Sequence, residues 1–496
     1  RSTAPRQPHP TPFFRTLSPQ PQETNMILHP IRHLLPLAAA FALSACSSLM
    51  PPTQVDAAMP TTWQVPLPHQ GSVGSMTQWW QQQADPVLAE LIAAAQAVSP
   101  SMSQALARVE ASRAQQAAAF GALVPNVGAQ LASSRGVSQP NLPVTNTQQI
   151  GLQAAWEIDL VGANRAVSRA AQANVEGSQA QWHDARVSVA AEVANLYYSL
   201  AHCTQQLALA RRDATSRQDT ARLTDINANV GFVAPSVAAM ARASAADSNS
   251  RLTQQSALCE LDTKALVALT GYAEPDLKQK MALAPAKPAQ AASLFVASVP
   301  AQTIAQRPDI FAAERDVVVA SAQVGSAQAQ RFPRLSLNGS IASMRMVSNG
   351  VEQEGTTWSF GPLAVSLPIY DGGQRAAAVT AAQASYEAVV SAYRAKVRQA
   401  VREVEQALVN LNSTEARAQD AKVSTQGYAE SLAATQARFG QGLASLVELE
   451  DARRNALASE SALLNLALER NRAWVGLYRA LGGGFEPQTP DATFAN

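Results

Sequence analysis

Residues Gln149 to Ile158, Q-I-G-L-Q-A-A-W-E-I, are the most informative part of the chain, because their side chains alternate between apolar and polar or small at every second residue. One face of a strand here would carry Ile150, Leu152, Ala154, Trp156 and Ile158, and the other would carry Gln, Gly, Ala and Glu. This period-2 pattern is typical of a wall with lipid on one side and water on the other. A pair of half-buried hairpins in a soluble protein is the alternative.

The same alternation predicts four strands per chain, at residues 126–135, 148–158, 334–346 and 357–369. In the last strand the apolar positions change face at Pro362, which implies a bend. A membrane barrel made by one chain needs about eight strands or more. Four strands therefore predict a barrel that several subunits share around a cyclic axis.

Two long helices dominate the rest of the chain, because no proline interrupts the helical pattern from Asn164 to Asn229 or from Gln374 to Phe439. At about 1.5 Å per residue, each would be on the order of 100 Å long. Apolar residues at 4-3 spacing predict a coiled-coil seam in both helices. These residues are Val189, Val193, Leu196, Leu200, Cys203, Leu207 and Ala210, then Tyr386, Val390, Tyr393, Val397, Ala400, Val404, Ala407 and Leu411.

The order of elements occurs twice, as helix, two strands and two long helices, at residues 85–271 and 304–484. Glycines break each helical pattern, so helical hairpins should turn near residues 231 and 441. Residues 272–303 then form an equatorial connection and 485–496 a tail. The predicted class is mainly α, with long coiled-coil hairpins and a membrane β-barrel part.

Two cysteines test this folding, since Cys203 and Cys259 each lie 28 residues from Gly231. An antiparallel hairpin that turns at Gly231 would place them opposite each other. In an oxidising periplasm a disulfide is the natural consequence. Two small buried thiols are the alternative.

The segment that begins at Met26 has the form of a bacterial lipoprotein signal. Basic residues precede an apolar run too short to span a bilayer, and small residues precede Cys46. Cleavage would leave Cys46 as the first residue, carrying an S-diacylglyceryl group and an N-palmitoyl chain, and no other cofactor is expected. Residues 1–25 are interpreted as an over-extended, disordered start, 26–45 as the signal peptide and 46–84 as a lipid-anchored linker.

Composition argues against several classes of function. A net charge of +1 gives no electrostatic reason to expect nucleic acid. None of the six histidines forms an HExxH motif, and neither a phosphate-binding loop nor a GxSxG motif occurs, so an enzyme is not expected. Beyond the signal no run of about 18 apolar residues occurs, so a barrel is the remaining way to cross a membrane. A lipid-anchored periplasmic scaffold would explain the helices but not the alternating strands.

Four short motifs, in this order within a double repeat, carry a family resemblance that covers about residues 79–484. The chain resembles the TolC-like outer-membrane factors, and in particular the lipoprotein branch that includes OprM and the NodT-type efflux proteins. The motifs are Trp156-Glu157-Ile158-Asp159-Leu160, Ala305-Gln306-Arg307-Pro308-Asp309-Ile310, Leu367-Pro368-Ile369-Tyr370-Asp371-Gly372-Gly373 and Leu477-Tyr478-Arg479-Ala480-Leu481-Gly482-Gly483-Gly484.

The resemblance implies a homotrimer with a 12-stranded outer-membrane barrel and a 12-helix periplasmic tunnel. It also implies the role of a passive exit duct for small molecules such as drugs, coupled through a periplasmic adaptor to an inner-membrane pump of the resistance-nodulation-division class. A duct for type I protein secretion shares this fold and is the alternative.

The family's functional positions can be transferred to this sequence residue by residue. Adaptor contacts at the helical tips would fall on Val230-Gly231-Phe232 and on Gln441-Gly442-Leu443, where Phe232 and Gln441 depart from the family's Val-Gly-Leu pattern. The gate would fall on Val447, as an apolar ring, and on Asp451 with Arg454. The alternative for the gate is an ordinary solvated helix face that includes Glu448, Glu450, Asp451, Arg453 and Arg454.

Overall fold

The computed structural model describes residues 50–65, 80, 85–137, 140, 142–284 and 300–485. The predicted signal peptide, Cys46 and the tail beyond residue 485 lie outside these residues. Among the helices described, none combines the length and the apolar character that a membrane span requires.

The first half of the chain opens with two short helices, not one, because Pro100 starts a new helix and Ser99 caps it through a hydrogen bond from the Met102 amide. Two strands, two long helices and a short helix follow. In chain order the elements are α1 Pro86–Val98, α2 Pro100–Gly121, β1 Asn126–Gly136, β2 Thr145–Ile158, α3 Ala163–Asn229, α4 Pro235–Thr270 and α5 Glu274–Leu283.

The second half repeats this order, and its long first helix has the same length as α3, 67 residues. Its elements are α6 Pro300–Ala305, α7 Pro308–Ala329, β3 Arg334–Ser348, β4 Val351–Ser366, α8 Gln374–Gly440 and α9 Leu446–Ala480. Adding 211 to a residue number in α3 or α4 gives its counterpart, as the glycines that precede the long helices show, Gly162 and Gly373.

The four strands form one antiparallel sheet in the order β1-β2-β3-β4. Its register places Leu152 opposite both Ala129 and Ile341, so the apolar positions of neighbouring strands share one face. Trp358 pairs with Ile341 on that face and is 77% exposed. The sheet therefore presents a continuous apolar surface that nothing in the described part of this chain covers.

The fourth strand differs from its prediction of 357–369, since it begins at Val351 and ends at Ser366. The strand starts earlier because Asn349 and Gly350, both with positive φ, form a two-residue turn that brings the start of β4 alongside the end of β3. The residues paired there are mostly polar and show no apolar–polar alternation. The predicted bend at Pro362 is a β-bulge, in which Gly361 and Pro362 lie opposite one residue of β3. The bulge keeps Phe360 and Leu363 on the same face.

The helices pack as two hairpins, α3 with α4 and α8 with α9, which contact each other through α3 and α9. Toward the sheet, α2 and α7 pack beside the sheet-proximal parts of α3 and α8. The predicted seam residues of α3 and α8 are buried or half-buried along their whole length, and most belong to one core. Each chain thus contributes four helices at every level between the sheet and the tips.

Candidate gate and docking site at the helical tips

The hairpins turn through two tips with nearly the same backbone, the first tip at residues 230–234 and the second tip at residues 441–445. Gly231 and Gly442 have φ values of 82° and 76°, which favour glycine. The next residue donates its amide to a carbonyl five residues earlier, from Phe232 to Asn227 at 2.9 Å and from Leu443 to Arg438 at 2.8 Å. Both long helices therefore end in a Schellman motif.

Apolar side chains point away from the chain at both tips. Phe232 is 84% exposed and Leu443 is 65% exposed, and Val230 is exposed as well. Gln441 and Gly442 are also exposed. The six residues that the resemblance assigns to adaptor contact thus form two small surfaces at one end of the helical hairpins.

The second tip has a capping box between Ser445 and Glu448, which the first tip lacks. The Ser445 amide donates to Glu448 Oε2 at 2.7 Å, and the Glu448 amide donates to Ser445 Oγ at 3.2 Å. The backbone amide of Ser445, with its hydroxyl, holds the pKa of the Glu448 carboxyl below its usual range. At the corresponding place the first tip has Ala234 followed by Pro235.

The three predicted gate residues lie on the exposed side of the first turns of α9. Val447 is 54% exposed, and Asp451 and Arg454 form an ion pair at 3.1 Å with side chains that are 56% and 74% exposed. The structure therefore brings these residues together on one face. An exposed pair of this kind contributes about 0–1 kcal/mol.

The alternative of a solvated face holds only in part, since Glu448 is exposed whereas Glu450 and Arg453 point at α3 and are buried. Glu450 Oε2 accepts hydrogen bonds from Arg217 on α3 and from Ser244 on α4, the latter at 2.9 Å. Arg453 donates to Glu450 Oε1 at 3.0 Å.

Neighbouring groups on α3 complete this buried network. Arg217 Nε also donates to both oxygens of Asp213 at 2.9 Å. Arg453 Nη2 donates to Thr220 Oγ1 at 2.8 Å and to Ser216 Oγ at 2.9 Å. Two carboxylates and two guanidinium groups thus balance each other between the hairpins.

Sequence analysis missed this network, although one signal for it exists. The 4-3 series of α3 continues beyond Ala210 through Ala214, Arg217, Ala221 and Thr224, all of which are buried. A charged residue at a seam position needs a buried partner. Arg217 therefore marks the place where a second helix must supply a carboxylate.

The disulfide between Cys203 and Cys259 is present, with the Cα atoms 5.5 Å apart. It joins α3 to α4 midway along the first hairpin, within the main core. In the described part of the chain no group of three or more His, Cys, Asp or Glu side chains could hold a metal ion.

Two of the sequence motifs meet at the far end of the hairpins from the tips. Arg307 donates to Asp309 at 2.9 Å, to Glu403 at 2.7 Å and to the Ala480 carbonyl oxygen at 2.9 Å. A Cβ atom on Gly482 would lie 2.7 Å from the Gln306 carbonyl oxygen, so only glycine allows this approach. The motifs join the end of α9 to the start of α7.

Comparison with known families gives one match, to the model of the outer membrane efflux proteins, over residues 91–272 and 299–483. Outer membrane protein OprJ of Pseudomonas aeruginosa is 30% identical over 468 residues, which cover 91% of this chain and 95% of that protein. The pyoverdine export outer membrane protein OpmQ of Pseudomonas putida is 27% identical over 477 residues, which cover 92% of this chain and 99% of that protein.

Solved structures of outer-membrane channels share the fold. The outer-membrane channel OprN superposes with a TM-score of 0.78 at 26% identity, and the aligned region covers 87% of this chain and 97% of the OprN chain. The open state of the MtrE outer membrane channel of Neisseria gonorrhoeae has a TM-score of 0.75 at 26% identity, with 89% of this chain and 98% of that chain covered.

Proposed function

The chain belongs to the outer membrane efflux protein family and is an efflux channel of the outer membrane, and from this premise we propose that it works as a homotrimer. Three copies form a passive exit duct without catalytic activity. A periplasmic adaptor couples the duct to an inner-membrane pump of the resistance-nodulation-division class, and the cargo consists of small molecules such as drugs. The observation that carries the proposal is a four-stranded sheet with two open edges on top of helices about 100 Å long.

The open edges support the trimer. Within the described residues, β1 and β4 each pair with only one strand, which leaves a row of backbone donors and acceptors on each outer edge. Inside a membrane these groups must be satisfied, and a closed barrel satisfies them. When β4 of one copy pairs with β1 of the next, three copies close a barrel of 12 strands around a three-fold axis.

The apolar face of the sheet supports insertion in lipid. From Ile158 to Ile150 the outward face of β2 is apolar, a rise of roughly 20 Å for a tilted strand, close to the height of the apolar band of such barrels. One register level beyond this band, Arg345 on β3 pairs with Glu352 and Glu354 on β4. The change from apolar to charged residues marks the extracellular boundary.

The two tips support docking of an adaptor. Each chain presents two exposed glycine turns flanked by Phe232 and Leu443, and three chains would present six of them in a ring. Glycine lets a partner helix approach the backbone closely, and an exposed aromatic ring offers a large apolar contact.

The gate lies just above the second tip. Three copies of Val447 form an apolar constriction, and three copies of Asp451, each with its Arg454, form a charged ring. Such rings gate a pore by dewetting and by electrostatic exclusion. The buried network at Glu450 holds the segment that carries both rings against α3.

Residues 50–65 support a lipid anchor on Cys46, with its S-diacylglyceryl and N-palmitoyl groups. This segment runs along α7 and α8: Ser321 donates to the Pro51 carbonyl oxygen at 2.6 Å, and Tyr386 donates to that of Pro52 at 2.7 Å. Met50 contacts Gly325, about one turn from the end of α7 that leads into the sheet. Three residues lie between Cys46 and Met50, so the four steps from one to the other span at most about 14 Å of extended chain.

Planar-bilayer recording and mass measurement test the proposal together. The purified mature protein should elute as a trimer by light scattering in detergent, and it should form channels whose conductance rises in Asp451→Ala. A monomer without a membrane-inserted sheet, or a trimer that conducts nothing even as Asp451→Ala, would refute the channel and favour a periplasmic scaffold.

A further inference from the structure

We propose that the Cys203–Cys259 disulfide fixes the register of α3 against α4 and thereby builds the site that holds Glu450, so that it keeps the gate segment of α9 docked. The inference rests on the proposed function only where it identifies this segment of α9 as the gate of the channel. The residues and the coupling belong to the described structure.

The binding site for Glu450 is composite, since it takes one donor from each helix of the first hairpin. Arg217 on α3 and Ser244 on α4 both donate to Glu450 Oε2, and Arg217 Nη1 also donates to Ser244 Oγ at 2.6 Å. A shift of α3 along α4 by one residue, about 1.5 Å, would separate these two donors. The carboxylate therefore binds fully only when the register of the hairpin is correct.

The side chains between the tip and the disulfide specify this register weakly. On α4 every buried residue of this segment is Ala or Ser, and on α3 the buried residues are Ala or Thr apart from Leu209 and Arg217. Small, similar side chains make shallow packing that does not distinguish one register from the next. The buried residues are Ala238, Ala241, Ala245 and Ser248 on α4 and Leu209, Ala214, Arg217, Thr220, Ala221 and Thr224 on α3.

The disulfide supplies the specificity of register that this packing lacks. Arg217 lies about four helical turns, roughly 21 Å, from Cys203, and Ser244 lies at a similar distance from Cys259. A covalent link at that level fixes both the height and the rotation of α4 against α3.

The second hairpin shows what the seam looks like without such a link. The counterparts of the two cysteines are Thr414 and Arg470, and Arg470 forms an exposed ion pair with Glu415 at 2.6 Å. Between its tip and this level the second hairpin buries three leucines on α9, Leu446, Leu449 and Leu466, at positions where α4 has Pro235, Ala238 and Gln255. The covalent link therefore occurs in the hairpin whose second helix buries only small side chains between the tip and the level of the link.

Amide hydrogen exchange on the purified full-length protein tests the inference directly. The protein is compared before and after tris(2-carboxyethyl)phosphine, which gives two electrons to the disulfide, yields two thiols and takes oxygen from water to become the phosphine oxide. We expect the amides of residues 449–456 to exchange about tenfold faster after reduction, while those of the four strands do not change. Cys203→Ser with Cys259→Ser should behave like the reduced protein without any reductant.

A second comparison separates a positioning role from general loosening. In the oxidised protein Glu450→Gln should also speed exchange at residues 449–456. In the reduced protein the same substitution should add no more than about tenfold, because reduction has already weakened the binding site for Glu450. A general loss of stability would multiply the two effects.

Two results would overturn the inference: exchange at residues 449–456 that reduction leaves unchanged, or effects of reduction and of Glu450→Gln that multiply. Neither result bears on whether the trimer conducts. Conversely, absence of channels in both redox states would refute the proposed function while the exchange data still decide the role of the disulfide.

Discussion

Replacing Glu450 by glutamine tests how strongly the two hairpins are held together near their tips. Asp213, Arg217, Glu450 and Arg453 are all buried or nearly so and carry no net charge as a group. Glu450→Gln leaves one surplus positive charge there. Removing one partner of a buried pair typically costs about 3–5 kcal/mol, and the lower end applies because Arg217 keeps Asp213 and the new amide oxygen still accepts.

A cost of about 3 kcal/mol corresponds to an increase of roughly 100-fold in the local opening equilibrium of α9. Amide exchange at residues 449–456 measures this equilibrium directly. Asp451→Asn is the matched control, since the neighbouring residue also loses a charge but its pair with Arg454 is exposed. Its effect should stay below about fivefold.

Equal acceleration of exchange in Glu450→Gln and Asp451→Asn would contradict this prediction, because burial would then not determine the strength of the two ion pairs. The prediction also fails if Glu450→Gln changes exchange throughout both hairpins and not only in α9. Circular dichroism and elution volume should match wild type in both variants.

Three further outcomes are expected. Asp451→Ala should raise single-channel conductance and admit bulky antibiotics that the wild type excludes, and unchanged leakage would remove Asp451 from the gate. Arg307→Met should destabilise the junction by about 1–3 kcal/mol, seen as a lower Tm, because it removes the buried guanidinium that donates to two half-buried carboxylates. Burial would raise the pKa of Asp309, but the hydrogen bonds and charge of Arg307 outweigh burial and lower that pKa. The ionised Asp309 therefore stabilises the fold above about pH 4, and this stabilisation is lost as the pH falls through the lowered pKa of the folded state. The Tm of the wild type should accordingly fall more between pH 7 and pH 3 than the Tm of Arg307→Met. Gly483→Ala should cost about 1–3 kcal/mol, because φ is 60° and the new Cβ would lie 2.9 Å from Tyr478 Oη, and a Tm equal to that of wild type would contradict the close approach.

The sheet could be predicted where its alternation is strict. In β2 each apolar residue marks the lipid face, and the register with β1 and β3 places like residues together. The start of β4 could not be predicted, because residues 352–357 are polar or glycine on both faces. Its pairing depends on the turn at Asn349 and Gly350 and on contacts of Glu352 with Arg345 across the sheet.

The two turns, and the placement of Val447, Asp451 and Arg454 on one face of α9, could be predicted from helical spacing and family resemblance, whereas the buried network could not. Glu450 and Asp451 are adjacent in sequence and carry the same charge. Glu450 is buried and Asp451 is exposed because α9 packs on α3 with a particular rotation about its own axis. The spacing of charged residues within α9 does not predict that rotation. Arg217 in the seam of α3 was the available clue.

The equal length of α3 and α8 restricts how this protein can evolve. Deleting one residue from either 67-residue helix would shorten it by about 1.5 Å and turn everything beyond the deletion by about 100°. Arg217 or the second glycine turn would then face the wrong neighbour, and the two turns would no longer end at one height. Substitutions should accumulate on the exposed faces of these helices, whereas insertions and deletions should survive only in the segments that join them.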